Sequence, residues 1–168
     1  TVNFGAVPAL TYYNFVLEDD GDGTTEVFTL AGNITVNNDL TIGNLTQLDN
    51  NGNNINVAGA WTNNGTFTPA NGTVTLSGGS ANVNNGSGYF NNLTIDSTGT
   101  KTVVGNRLDV NVRLTMTAGT LDLGSGFVGG SAHTVDGTVF PSVDINIGTL
   151  KLSTSELKVT SATGGVDI

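Results

Sequence analysis

Apolar residues in this chain recur at every second position, in short bursts separated by small polar residues. Ile34-Thr35-Val36, Leu40-Thr41-Ile42, Ile55-Asn56-Val57, Thr73-Val74-Thr75-Leu76 and Leu93-Thr94-Ile95 are representative. The alternation returns in Leu108-Asp109-Val110-Asn111-Val112, Leu114-Thr115-Met116, Thr120-Leu121-Asp122-Leu123 and Val143-Asp144-Ile145. A period of two puts alternate side chains on one face of a strand, so each burst predicts a short β-strand with aliphatic residues inward and Thr, Asn or Asp outward. Helix formers at 3.6-residue spacing are scarce, and no helix is predicted. Between the bursts stand Asn51-Gly52, Asn64-Gly65, Asn71-Gly72, Asn85-Gly86 and Gly105-Asn106, residues that tolerate the positive φ of tight corners.

Strands this short, with corners this frequent, fit either an antiparallel β-sandwich of hairpins or a solenoid. Two features favour the solenoid. Segments correspond across the chain: Tyr12–Leu17 with Phe90–Ile95, Ile34–Val36 with Leu108–Val110, Leu40–Ile42 with Leu114–Met116, and Gln47–Asp49 with Thr120–Asp122. Strand pairs also recur about every 20 residues, the span of one coil in a stacked repeat. A single coil cannot bury its own apolar residues, whereas stacking at about 4.8 Å sets each inward Val, Ile or Leu on the one below. The expected fold is therefore all-β: one single-stranded parallel β-helix over residues 1–168, of about seven or eight coils. Residues 12–126 carry the clearest repeats and 127–168 more divergent ones. Residues 1–11, with Pro8, are expected to form an extended N-terminal arm or a cap.

The stretch NVAGAWTNNGTFTPANGTVTLSGG, followed by NLTI and TGTKTVVGNRLDVNVRLTMTAGTLDLGSG, resembles repeats of large secreted and outer-surface bacterial proteins, the adhesins and filamentous-haemagglutinin-like β-helix proteins. The resemblance covers most of residues 12–126. It implies a parallel β-helix and a structural or adhesive role at the cell surface, and it specifies no ligand.

Composition narrows the function classes. With 14 acidic and 5 basic residues the formal charge is −9, which repels nucleic-acid backbones and anionic headgroups. No apolar run approaches the roughly 18 residues of a membrane span, so membrane insertion is not expected. Cysteine is absent, which excludes disulfides and thiolate metal sites. The chain opens on Thr1 without an initiator Met or signal peptide and reads as a mature or excised segment of an extracellular protein.

The densest charge cluster is Glu18-Asp19-Asp20-Gly21-Asp22-Gly23-Thr24-Thr25-Glu26. Hard oxygen donors at alternate positions, with glycine at the sharp turn, suit Ca²⁺ through Glu18, Asp20, Asp22 and Glu26. An EF-hand is excluded, because Thr29 stands where the bidentate Glu belongs and no helices flank the loop. The competing reading is a solvated acidic turn. Trp61 is a candidate carbohydrate-stacking platform, with a core-filling role equally open. His133, beside Ser131 and Thr134, lacks any nucleophile-elbow motif and is read as a surface residue. Lys101, Arg107 and Arg113 could share a face of neighbouring coils, but the paired-acid signatures of polysaccharide-cleaving β-helices are missing. Thr-x-Thr pairs such as Thr73/Thr75 and Thr115/Thr117 suggest an ice-binding array, although their spacing along the chain is irregular. Six Asn-x-Ser/Thr sequons begin at Asn33, Asn44, Asn64, Asn71, Asn85 and Asn92.

These features predict an extracellular structural or adhesive module, without catalysis or a required cofactor. Its expected partners are neighbouring domains of a longer chain or copies of itself, through strand addition at uncapped ends. A carbohydrate-binding module is the alternative. Ice binding and a polysaccharide-degrading enzyme rank below it.

Overall fold

The computed structural model describes residues 2–124 and, beyond them, the strand segments 133–136, 142–145, 149–151, 157–160 and 166–167; side chains are described for 5–124 and 149–150. The strands wind into a three-sided parallel solenoid. The first turn is β1 (Val2–Val7), β2 (Thr11–Tyr12) and β3 (Phe15–Leu17); the second is β4 (Glu26–Leu30), β5 (Ile34–Val36) and β6 (Leu40–Ile42). The third is β7 (Thr46–Asp49), β8 (Ile55–Val57) and β9 (Trp61–Asn63); the fourth is β10 (Thr66–Thr68), β11 (Thr73–Gly78) and β12 (Ala81–Asn84). In the fifth and sixth turns two sides merge into the long strands β13 (Phe90–Val103) and β14 (Asp109–Asp122).

On β14 stack β15 (His133–Asp136), β16 (Ser142–Ile145) and β17 (Thr149–Lys151), and on these β18 (Leu157–Thr160) and β19 (Val166–Asp167). All these pairings are parallel, which removes the antiparallel sandwich. Six turns run from Val2 to Asp122, slightly fewer than the seven or eight expected from length, with the later segments continuing the stack. Within residues 1–11, β1 forms one side of the first turn and pairs with β4. Ser131 lies outside the described residues.

Like residues stack on like in register. One inward column runs Ile34, Ile55, Val74, Leu93 and Leu114, and its neighbour runs Tyr12, Val36, Val57, Leu76, Ile95 and Met116; the backbone register continues to positions 143 and 145. On a second side Phe15, Leu40, Trp61, Val83 and Val103 form a column, and on the third Phe28, Leu48 and Phe67 do. Nearly all of these side chains are buried in one continuous core. The long-range correspondences expected from sequence are out of step with this register. Ile34 shares its column with Leu114, not Leu108, and Tyr12 shares its column with Ile95, not Phe90.

The corners are held by side-chain oxygens that accept backbone N–H groups from the next turn up. Asn14 Oδ1 accepts from Asp39 N at 3.3 Å and Asp39 Oδ1 from Ala60 N at 2.7 Å. Asn33 Oδ1 accepts from Asn54 N, Asn54 Oδ1 from Thr73 N, Asn50 Oδ1 from Ala70 N and Ser80 Oγ from Thr100 N, all at 2.7–3.0 Å. These bonds satisfy backbone donors where the strand ladder is interrupted. Positive φ is used at Asn51 (50°) and Gly52 (77°). Gly72 has a different reason: a Cβ there would run into the Asn53 backbone carbonyl one turn below.

One core position holds a lysine. Lys101, which alternates inward with Val103, is fully buried. Its Nζ donates to the carbonyl oxygens of Ala58 (2.9 Å) and Gly59 (3.3 Å), two turns down. Ala81 stands below Lys101 in register. Burial pushes the Lys101 pKa down from its ordinary value, against a smaller opposing pull from Asp39. The three basic residues therefore do not share an outer face. Arg107 Nε pairs with Asp109 Oδ2 at 2.8 Å, and Arg113 lies on a different side, in register with Asn92.

Two predictions follow from these contacts. Gly72→Ala should lower unfolding free energy by about 1–3 kcal/mol, because the obstacle is backbone, while Gly79→Ala, with nothing within 4 Å, should stay within about 0.5 kcal/mol of wild type. Denaturant midpoints compare them. Lys101 is depressed in the fold, so between its folded pKa and the ordinary 10.5 the unfolded chain binds the extra proton and stability rises with pH. Urea titrations from neutral pH to 10.5 should show that rise in wild type and show it reduced in Lys101→Met.

Candidate functional site

The first corner of the third side is built unlike those above it. Between β6 and β7 the chain turns in three residues, Gly43 to Leu45, whereas between β3 and β4 it takes eight, Glu18 to Thr25. The register records the surplus: Phe15 pairs with Leu40, 25 residues on, and Leu40 with Trp61, 21 residues on. The extra length curls on two successive turns in which an Asp side chain accepts the backbone N–H two residues later. Asp20 Oδ1 accepts from Asp22 N at 3.1 Å, and Asp22 Oδ1 from Thr24 N at 2.7 Å. Gly21 and Gly23 take the positive φ values of 90° and 77° that this curl requires.

The curl gathers the carboxylates of Asp19, Asp20, Asp22 and Glu26 so that one oxygen of each lies within 4.8 Å of the others. Glu18, expected in this group from simple alternation, is exposed and outside it; Asp19 takes its place, because the two Asp turns break the alternation. Asp20 and Asp22 face solvent and Asp19 is half-buried. Glu26 is the unusual member. It occupies an inward position of β4, in register with Thr46, and is 1 % exposed. Neither of its carboxylate oxygens has a hydrogen-bond partner. Burial, reinforced by the neighbouring charge of Asp19, pushes the Glu26 carboxyl above the usual range. At Asp22 the Thr24 backbone N–H holds the carboxyl below it.

Trp61 sits elsewhere, inside the solenoid at 0 % exposure. Its ring meets Phe67 edge-on at 4.9 Å and Phe90 at 5.2 Å, and Nε1 donates to Asn85 Oδ1 at 2.9 Å. The indole presents no face to solvent and so fills the core rather than forming a sugar platform. Asn85, itself buried, is the one sequon asparagine withdrawn into this polar cluster with Asn63. His133 is the first residue of β15 and is described as backbone, in register with Leu157.

Two surface features were not legible in advance. The Asn-Gly corner of successive turns lines an open groove of about 450 Å³ with Asn44, Asn64, Asn84, Ser87 and Asn106. On the opposite part of the coil, Thr11, Thr35, Asn56, Thr75, Thr94 and Thr115 form one outward rank in register. Variable corner lengths hide this rank in the sequence, where the Thr pairs are unevenly spaced. Asn56 interrupts it.

No protein-family model, curated protein or solved structure matches this chain.

Because Trp61 is the single tryptophan, its emission reports the core alone. Wild type should emit at short wavelength, resist acrylamide quenching and show no shift with added oligosaccharide. Trp61→Phe removes the donor to Asn85 Oδ1 and should cost about 1–3 kcal/mol in a urea titration.

Proposed function

We propose that this chain is an extracellular structural or adhesive module, a segment of a surface protein or a fibre subunit, and that it works without catalysis. The observation that carries the reading is the like-on-like stack of parallel strands that runs through every described turn. Among the described residues β1 is the end strand of one sheet, and β2 and β3 are end strands of the other. Exposed Leu10, Tyr13 and Val16 lie on the same turn. An edge of this kind accepts a further parallel strand from a neighbouring domain or a second copy. The kinship with bacterial adhesins and filamentous-haemagglutinin-like proteins suggested by the sequence belongs to this reading, as does a cell-surface location.

The reading predicts elongated, concentration-dependent assemblies in sedimentation velocity and electron microscopy. A Tyr13→Lys/Val16→Lys variant, which places charges on the edge turn, should shift them toward monomer. Monomers of the wild type at every concentration would remove the fibre version.

The amide-lined groove favours a second reading, carbohydrate binding, since stacked Asn side chains offer donors and acceptors to sugar hydroxyls. A glycan array run with and without chelator tests it. Binding lost in Asn64→Ala/Asn106→Ala supports the groove, and absence of binding under both conditions ends this reading.

A further inference from the structure

Among the described residues five buried side-chain polar atoms lack a hydrogen-bond partner, and four belong to one corner: both oxygens of Glu26, Asp19 Oδ1 and Thr24 Oγ1. An ionised carboxylate withdrawn from water without a partner is costly. Here the sequence adds to the cost, because three aspartates are curled over the same point instead of an arginine or lysine. Among the described ion pairs none reaches Glu26. A lone proton on Glu26 would relieve its burial but would leave the carboxylates of Asp19, Asp20 and Asp22 crowded around it.

We infer that Asp19, Asp20, Asp22 and Glu26 bind one calcium ion, which fastens the eight-residue corner of the first turn to the second. The donor chemistry selects the ion. All four donors are carboxylates, with no His or Cys among them, which suits a hard cation over zinc or copper. Four carboxylates, mono- or bidentate, can supply the six to eight oxygens Ca²⁺ takes, and a glycine-hinged loop adapts to its irregular geometry better than to the strict octahedron of Mg²⁺. The ring of donors is anchored at one end in a strand, through Glu26 of β4, and carried at the other by the loop. Binding therefore orders the loop against the sheet. This inference is independent of the module's biological role.

The test uses the whole chain, stripped with chelator and titrated calorimetrically with CaCl₂ and, separately, MgCl₂. One Ca²⁺ should bind with a Kd between about 10⁻⁵ and 10⁻³ M, the range of sensor and extracellular sites, and Mg²⁺ at least tenfold more weakly. At about 100 times Kd the thermal midpoint should rise by roughly 5–10 °C. Asp20→Asn/Asp22→Asn keeps the side-chain oxygens that accept the Asp22 and Thr24 N–H groups, so the fold should persist while affinity falls more than tenfold. Glu26→Gln should abolish the calcium-dependent rise and, in chelator, melt above wild type, since it removes the uncompensated charge. The inference is overturned if wild type shows neither heat nor a shifted midpoint with Ca²⁺. It is equally overturned if the double variant binds as tightly as wild type, or if Glu26→Gln melts with wild type in chelator and still responds to Ca²⁺.

Discussion

The backbone ladders of this solenoid join each turn to the turns below and above it, so the fold rests on keeping those turns in register. The strand ladders fix the register on the flat sides, where Ile34, Ile55, Val74, Leu93 and Leu114 stand one on another. A slip of one residue would turn every inward aliphatic outward. At the corners, where the ladder stops, side-chain oxygens such as Asp39 Oδ1 and Asn54 Oδ1 take over by accepting N–H groups from the next turn. The abundance of Asn is explained by this repeated duty more than by solubility.

Buried polarity inside the column follows one rule with one exception. Lys101 spans two turns to two carbonyl oxygens, and Trp61, Asn63 and Asn85 satisfy most of one another's polar atoms. Glu26 stands apart. It holds an inward strand position with both oxygens unpaired, under the eight-residue corner where the acids gather. No described ion pair reaches this buried carboxylate.

The limits of sequence reading show in particular residues. Ile34–Val36, Leu40–Ile42 and Ile55–Val57 were legible as strands to the residue, because period-two alternation and β-branching are local properties. Trp61 and Lys101 also carried a parity signal, since each alternates with a buried neighbour, Asn63 and Val103. For Lys101 the charge outweighed that signal, and the carbonyls that receive its Nζ come from Ala58 and Gly59, far away in sequence. The acidic corner was visible as a cluster, but its membership was not: exchanging Glu18 for Asp19 depends on how two Asp turns curl the chain.

The sequence by itself determined short strands, a repeat of about 20 residues and corners of Asn and Gly, because these follow from alternation and φ preference within a few neighbours; the parallel pairing was favoured by the repeat and decided by the structure. Only the tertiary structure decided which triplet sits on which. Aliphatic triplets on the three sides look alike, so Ile34 can be matched to Leu108 or to Leu114 on composition, and hydrogen bonding chooses Leu114. It also decided which polar residues enter the core and which carboxylates meet, since both depend on the free space and register of turns that are remote along the chain.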